Sequence, residues 1–312
     1  MKRTDCSAMR MLLAAGTLAL ASGCVASNQF GLQIRIDRGA YRSQGEPLEF
    51  LVGVPAQIAE DAPLAVFLEG DGSQCQDYRE GSWRRFLVRH TGRFLLVRPR
   101  TFVNTVCATE RFAQADFLHR VAELGSLLRE LRRAYPGRPT FLVGHSAGAQ
   151  LAVLYAKAHP GEISGIANLG GGTWPLSDLL PEIAHESARR GKLSPAEARE
   201  RLAQHQRLVA RLQAAPDSSE PMWGRSERFW SQMFFSGVRE LWAATELPVL
   251  VIHGTEDLES VPASAVAQAR DEMANAGKAN VRFVFLEGEG HDLLRAEAFQ
   301  LVEDWMQSLR SR

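Results

Sequence analysis

Runs of apolar residues recur along this chain and are separated by segments with helical periodicity. The runs that predict strands are residues 48–55, 64–70, 93–99, 140–146, 163–170, 248–254 and 281–288. Most of them are almost continuously apolar, whereas a strand with one face in water alternates apolar and polar residues. The pattern is therefore typical of strands buried on both faces of a parallel sheet.

Apolar residues at spacings of three and four predict helices between these strands. One stripe comprises Phe117, Val121, Leu124, Leu128 and Leu131, and a second comprises Leu151, Leu154, Tyr155 and Ala158. Each stripe is followed by a proline and a glycine, which end helices. Strands alternating with helices predict an α/β domain in which a mainly parallel β-sheet is flanked by helices, with right-handed crossovers.

The segment at about residues 174–242 breaks this alternation, because its pattern is helical throughout. Ser194, followed by Pro195 and then by Glu197, predicts a capping box with proline at the first helical position. We interpret the segment as a helical cap inserted over the carboxyl edge of the sheet. The cap would belong to one domain that spans residues 46–312.

The first residues of the chain predict a targeting segment. Lys2, Arg3 and Arg10 precede an apolar stretch at residues 11–23, which is too short to span a bilayer permanently. We interpret residues 1–23 as a lipoprotein-type signal peptide and residues 24–45 as an N-terminal tether.

Cys24 follows a stretch of small residues, and this ending resembles the lipobox of bacterial lipoproteins. Ala21 departs from the usual lipobox, which has leucine three residues before the cysteine. The resemblance implies that Cys24 is acylated and anchors the protein in a membrane. Val25 after the cysteine resembles lipoproteins sent to the outer membrane, where the protein would face the periplasm. Simple secretion, with cleavage after residue 21, is the alternative.

Export would place the two remaining cysteines, Cys75 and Cys107, in an oxidising compartment. Each lies shortly after a predicted strand, and a disulfide between them is our hypothesis; two free buried thiols are the alternative. Positive and negative residues balance at 36 each, so the net charge indicates neither a nucleic acid nor an acidic membrane surface as partner. We expect no metal, because no group of histidines and cysteines has ligand spacing, and no cofactor.

The sequence Gly144-His145-Ser146-Ala147-Gly148 joins a predicted strand directly to a predicted helix. In this context G-x-S-x-G predicts a nucleophile elbow, in which small neighbours allow the serine to occupy a sharp turn above the sheet. At this point the chain resembles the α/β-hydrolase superfamily, and the resemblance extends over nearly all of the mature chain. It implies that Ser146 is a nucleophile.

The resemblance also implies an acid after a late strand and a histidine after the last one. Asp257 follows residues 248–254, and His291 follows residues 281–288 in a Gly-x-Gly-His setting. His291 would take the proton of Ser146, and Asp257 would orient the imidazole. Glu256, Glu259 and Asp292 are rival acids.

Two backbone N–H groups normally form the oxyanion hole, and Ala147 would provide one of them. Asp71 or Gly72 would provide the other, from the sequence Glu69-Gly70-Asp71-Gly72 after residues 64–68. Glu69 stands where many relatives carry histidine. It or Asp71 could pair with Arg98 or Arg100, or could recognise a cationic substrate; we favour the pairing.

These residues predict a serine hydrolase that cleaves a carboxylic ester through an acyl-enzyme in the bacterial cell envelope, with a small acyl ester as substrate. The same triad also serves peptidases, thioesterases and acyltransferases. A non-catalytic binding lipoprotein with this fold is a further alternative. Aromatic and methionine residues of the cap are expected mainly to seal it onto the domain, with one or two reaching the site: Trp223, Phe229, Trp230, Met233, Phe234 and Phe235.

Overall fold

A computed structural model describes residues 21–27, 31–70, 80–101, 115–258 and 260–310. Most of the expected signal peptide, the cysteines Cys75 and Cys107, the oxyanion candidates Asp71 and Gly72, and Glu259 lie outside the described residues. The predictions made for them therefore stay predictions, as does the acylation of Cys24.

The described strands are β1 (Ala21–Ser27), β2 (Gln33–Ser43), β3 (Glu46–Pro55), β4 (Leu64–Leu68), β5 (Leu95–Pro99), β6 (Thr140–His145), β7 (Gly165–Leu169), β8 (Pro221–Met222), β9 (Arg225–Ser226), β10 (Val249–Gly254) and β11 (Val281–Leu286). Over the described part of the chain, nine of them form one sheet in the order β1-β2-β3-β5-β4-β6-β7-β10-β11. Pairing is parallel from β5 to β11 and antiparallel from β1 to β5. The predicted mainly parallel sheet is confirmed.

The described helices are α1 (Glu80–His90), α2 (Phe117–Ala134), α3 (Ala147–Ala158), α4 (Leu176–Arg189), α5 (Pro195–Ala214), α6 (Glu227–Phe235), α7 (Val238–Ala244), α8 (Ala263–Asn275) and α9 (Ala296–Arg310). Among them, none is both long and apolar enough to cross a membrane.

Apolar residues fill both faces of the sheet, as the continuous apolar runs predict. In β4, Val66 belongs to the core formed with α2, α3 and α8, whereas Phe67 belongs to the core formed with α1 and α9. Adjacent strand residues point to opposite faces, so a strand between two helical layers must be apolar at every position. This arrangement confirms the three-layer α/β architecture.

Strand β2 is a difference from the sequence analysis, which includes its residues in an N-terminal tether. Residues 33–43 pair with β3 along its whole length, and Ile34 and Ile36 are buried in the core. Arg35 lies between them, is exposed, and forms an ion pair with Asp37 at 2.7 Å. Because β2 alternates apolar and charged residues, it has no continuous apolar run to mark it, although period-2 alternation is itself a strand pattern.

The segment between β7 and β10 contains helices α4 to α7 and the short hairpin β8–β9. Ser194 and Glu197 form the predicted capping box at the start of α5. The segment contacts the N-terminus of α2, where the rings of Phe117 and Phe229 stack with centroids 5.7 Å apart. Asp116, the residue before α2, also pairs with Arg228 at 2.9 Å.

Most of the aromatic group of this segment is core. Phe229, Trp230, Met233 and Phe234 are buried, whereas Trp223 and Phe235 are 54% and 37% exposed. The expected sealing role is therefore confirmed for these four side chains.

Candidate active site

A single residue joins β6 to α3, because β6 ends at His145 and α3 begins at Ala147. That residue, Ser146, has φ +53° and ψ −125°. A side chain with a Cβ is strained in this conformation, which persists only where the surroundings enforce it. The Ser146 N–H donates to the carbonyl of Leu169 at 3.0 Å and anchors the turn to β7. The predicted sharp turn is therefore present.

The glycines on either side of Ser146 are required by close backbone approaches. A Cβ on Gly144 would overlap the backbone nitrogen of Ala149, and one on Gly148 would overlap the carbonyl oxygen of Leu68. Neither obstacle is the end of a flexible side chain, so a methyl group could be accommodated only by moving the backbone. The G-x-S-x-G pattern thus results from packing between β6, α3 and the end of β4.

Asp257 and His291 form a hydrogen-bonded pair at the carboxyl ends of the last two strands. His291 Nδ1 lies 2.8 Å from Asp257 Oδ2, and the Ser260 N–H donates to Asp257 Oδ1 at 3.1 Å. A carboxylate only accepts, so Nδ1 of His291 carries the hydrogen and Nε2 is left able to take a proton.

The Asp257 carboxyl is fully buried, and burial by itself raises its pKa. The hydrogen bond and the charge of His291, together with the Ser260 N–H, outweigh that effect, and the net pKa lies below its ordinary value. Asp257 is therefore an anion at neutral pH.

The two rival acids that the structure describes have other partners. Glu256 pairs with Arg190 at 2.6 Å, and Asp292 accepts the N–H of Leu294 at 3.2 Å. These contacts favour Asp257 as the partner of His291.

Two glycines that follow β7 lie between the loop that carries His291 and the elbow. A Cβ on Gly170 would lie 3.3 Å from the carbonyl oxygen of His291, and one on Gly171 would lie 2.6 Å from that of Ser146. In addition, His145 Nε2 lies 3.1 Å from the His291 carbonyl oxygen and therefore donates to it. Ser146 and His291 thus flank the same glycine pair.

The two histidines beside the site have structural contacts. Burial and the nearby charge of His291 lower the pKa of His145, and burial also lowers that of His253. His253 is fully buried, and its Nε2 lies 2.9 Å from the Val261 carbonyl oxygen. Both are neutral at pH 7, in keeping with structural roles.

Two groups near the elbow were missed by sequence reasoning. Asn168 is fully buried in β7, and its side chain accepts the Gly171 N–H at 2.7 Å while donating to the Gly171 carbonyl at 3.1 Å. Gly70 packs against the nucleophile, because a Cβ on it would lie 2.9 Å from Ser146 Cβ. Asn168 could have been found from the sequence, because it is a polar residue inside an apolar run that predicts a strand.

Glu69 forms an ion pair with Arg98, which confirms the favoured interpretation of this acid. The Arg98 guanidinium lies over the rings of Trp83 and Phe86, at 4.2 and 4.3 Å from their centroids. Ala147 is the first residue of α3, as an oxyanion donor at a helix N-terminus requires. The second donor candidates lie outside the described residues.

Within the described ranges, no group of three or more histidine, cysteine, aspartate and glutamate side chains could hold a metal ion. The chemistry that the described groups offer is that of a serine, an imidazole and a buried carboxylate.

The sheet order, the strained serine between β6 and α3, and the acid and histidine after the last two strands together define an α/β hydrolase. A family model described as serine aminopeptidase, S33, matches residues 107–298. The chain therefore belongs to this family of hydrolases.

Similarities to individual proteins are more distant. The chain is 37% identical over 75 residues to human monoglyceride lipase, a match that spans 24% of this chain and only 23% of that protein. Est1E from Butyrivibrio proteoclasticus with bound ferulic acid is 17% identical, with a TM-score of 0.60 over 88% of this chain and 99% of that one. A thermostable carboxyl esterase from Bacillus coagulans is 18% identical, with a TM-score of 0.59 over 88% and 98%. At these identities the two structures support the fold.

Proposed function

We propose that this protein is a serine hydrolase that cleaves a small carboxylic ester through an acyl-enzyme. Ser146 is the nucleophile, His291 the general base and then the general acid, and Asp257 the group that orients His291. The observation that carries the proposal is the 2.8 Å contact between His291 Nδ1 and Asp257, in a loop whose His291 carbonyl accepts from His145, the residue before the strained serine.

In the first half-reaction, Ser146 Oγ attacks the ester carbonyl carbon and His291 Nε2 takes its proton. The resulting imidazolium is stabilised by the buried Asp257 anion. Collapse of the tetrahedral intermediate breaks the ester C–O bond, and His291 gives the proton to the departing alcohol. Water then repeats the sequence on the acyl-enzyme, which releases the carboxylic acid and regenerates Ser146.

Negative charge develops on the carbonyl oxygen during both steps. The Ala147 N–H at the N-terminus of α3 would stabilise it, and the N–H of Asp71 or Gly72 would supply a second donor. Removing one such donor from a serine hydrolase typically costs about 10²- to 10³-fold in kcat.

We favour an ester over a peptide as the substrate because the carboxylate of Glu69 is paired with an arginine. An aminopeptidase would use an acid for the substrate's terminal ammonium group; of the two candidates in this loop, Asp71 lies outside the described residues and the Glu69 carboxylate is paired with Arg98. The names of the similar proteins, a lipase and a carboxyl esterase, also favour an ester. The family description favours a peptidase, which stays the second candidate together with thioesterase and acyltransferase activity.

The test is labelling of the purified protein with a fluorophosphonate, followed by mass spectrometric mapping of the adduct. We expect one adduct on Ser146, none in Ser146→Ala, and normal labelling of Ser126→Ala. Ser126 is a suitable control because its hydroxyl donates to a main-chain carbonyl within α2. Acyl esters of graded length and aminoacyl anilides then separate esterase from peptidase. A well-folded parent protein without an adduct would refute the triad and leave the binding lipoprotein.

We also propose that the protein is anchored in the cell envelope through acylated Cys24, with a disulfide between Cys75 and Cys107. In a bacterial host we expect Cys24→Ala to move the protein from the membrane to the soluble fraction. Equal membrane fractions for the two proteins would contradict the anchor. Thiol alkylation before and after reduction, read by intact mass, tests the disulfide.

A further inference from the structure

The end of β4 and the two residues after it press against the elbow; we name residues 68–70 the support segment. The Leu68 carbonyl faces Gly148 so closely that a Cβ there would overlap it, and the Glu69 carbonyl oxygen lies 2.9 Å from the same position. Gly70 faces Ser146 at a distance that also excludes a larger residue. The position of the support segment therefore fixes the space available to the nucleophile.

Two arginines hold the support segment from outside. Arg98, in β5, pairs with the Glu69 carboxylate and is itself buried between α1 and the sheet. Its guanidinium lies over the rings of Trp83 and Phe86, both on α1. Arg120, buried in α2, donates through Nη2 to the main-chain carbonyl of Glu69 at 3.1 Å.

Both charged contacts converge on one residue. Arg98 restrains the side chain of Glu69, Arg120 restrains its backbone, and the helices that carry Trp83 and Arg120 lie on opposite faces of the sheet. The charge of Glu69 also acts on His145 in the elbow. Burial and the charge of His291 lower the pKa of His145, whereas the charge of Glu69 raises it. Glu69 is thus coupled to the elbow by contact and by charge.

We propose that Glu69, Arg98 and Arg120 are positioning residues for Ser146. They hold the support segment against the elbow and thereby set the location of the nucleophile. The inference rests on the proposed function, since it takes Ser146 to be the nucleophile. It predicts an effect on the chemical step, because none of the three residues needs to touch the substrate.

The physical reason is that catalysis depends on position more steeply than folding does. A displacement of about 1 Å at a reacting group can cost about 10²-fold in rate. Losing the Arg120 contact removes one restraint on the Glu69 carbonyl, and a shift of the backbone at Gly70 would move directly into the Ser146 side chain. Substrate binding elsewhere in the site would change little, so the loss should fall on kcat and leave KM nearly constant.

The experiment compares Arg120→Met, Arg120→Lys and Glu69→Gln with the parent protein. Arg132→Met is the matched control, because Arg132 lies on the same helix and also binds a main-chain carbonyl and a carboxylate, both of Glu162. For each variant we would measure the melting temperature, the rate constant of fluorophosphonate labelling of Ser146, and kcat and KM for a short acyl ester.

We expect Arg120→Met and Glu69→Gln to label about 10- to 100-fold more slowly and to lose kcat by the same factor, with KM within about twofold of the parent. Arg120→Lys, which keeps a donor, should recover part of the rate. Arg132→Met should match the parent in every rate.

Equal labelling rates for the folded variants and the parent would overturn the positioning role while leaving Ser146 as the nucleophile. No labelling of the parent would instead overturn the proposed function. If a single variant does not fold, the double variant Glu69→Met/Arg98→Met removes both charges and avoids leaving one of them buried and unpaired. A stable double variant that labels slowly supports the proposal, and one that labels at the parent's rate overturns it.

Discussion

His90 gives a prediction for stability against pH whose size follows from its surroundings. The residue ends α1, is only 2% exposed, and stacks on the ring of Phe299 with centroids 4.4 Å apart. Its Nδ1 has no hydrogen-bond partner among the residues that the structure describes. Burial, followed by the charges of Arg89 and Arg98, lowers its pKa to about 4 from the ordinary 6.5. His90 is thus a buried neutral imidazole.

The sign follows from which state binds the proton. Between the folded pKa of about 4 and the unfolded value of 6.5, the unfolded chain carries the proton and the folded protein does not. Stability is therefore complete above the unfolded pKa and falls as pH decreases through this window. The full shift corresponds to about 3 kcal/mol, and about 2 kcal/mol of it should be lost between about pH 7 and about pH 4.5.

The assay is urea unfolding of the parent and of His90→Gln at a series of pH values. Tryptophan fluorescence monitors the unfolding. Loss of ring stacking destabilises the variant by an amount that is independent of pH, so the informative quantity is how the stability difference changes. We expect the parent to lose about 2 kcal/mol more than the variant on acidification.

The matched control is His185→Gln on the exposed face of α4. The stability difference between this variant and the parent should not show the change of about 2 kcal/mol on acidification that is expected for His90→Gln. If the difference between the parent and His90→Gln is the same at every pH, the depressed pKa of His90 is refuted.

Two further predictions concern the site itself. Asp257→Asn should lower kcat by about 10⁴-fold, because the amide no longer holds the required tautomer of His291, while the circular dichroism spectrum stays that of the parent; a variant within tenfold of the parent would contradict the assignment. Gly148→Ala should destabilise the protein and slow labelling, because the new methyl group overlaps the Leu68 carbonyl. By contrast, Gly81→Ala in α1 meets only ordinary contacts and should stabilise by up to about 1 kcal/mol, as thermal unfolding would show.

The elements that sequence reasoning located share a strong local pattern. The strands between two helical layers are apolar at every position, and the elbow carries its own steric explanation in Gly144 and Gly148. Asp257 and His291 were assigned from the resemblance to the α/β-hydrolase superfamily, which implies an acid after a late strand and a histidine after the last one, and the structure pairs these two residues.

The features that sequence reasoning missed depend on long-range neighbours. Strand β2 was hidden because alternating charges interrupt its apolar residues, and its burial depends on β3 and the helices around it. The contact of Arg120 with the Glu69 carbonyl could not be predicted either. The two residues are 51 positions apart, and only the fold shows that the start of α2 passes the end of β4.

Glu69 and Arg98 should change together in related sequences. A buried arginine without its carboxylate, or the carboxylate without its arginine, costs about 3–5 kcal/mol, whereas removing both can be neutral. In a relative with a neutral residue at position 69, a buried cation at position 98 would lose this carboxylate, so we expect an uncharged residue there. Aligned sequences of the family test this expectation. Relatives that keep an arginine at position 98 with no acid at position 69 would contradict it, unless another carboxylate reaches the same place.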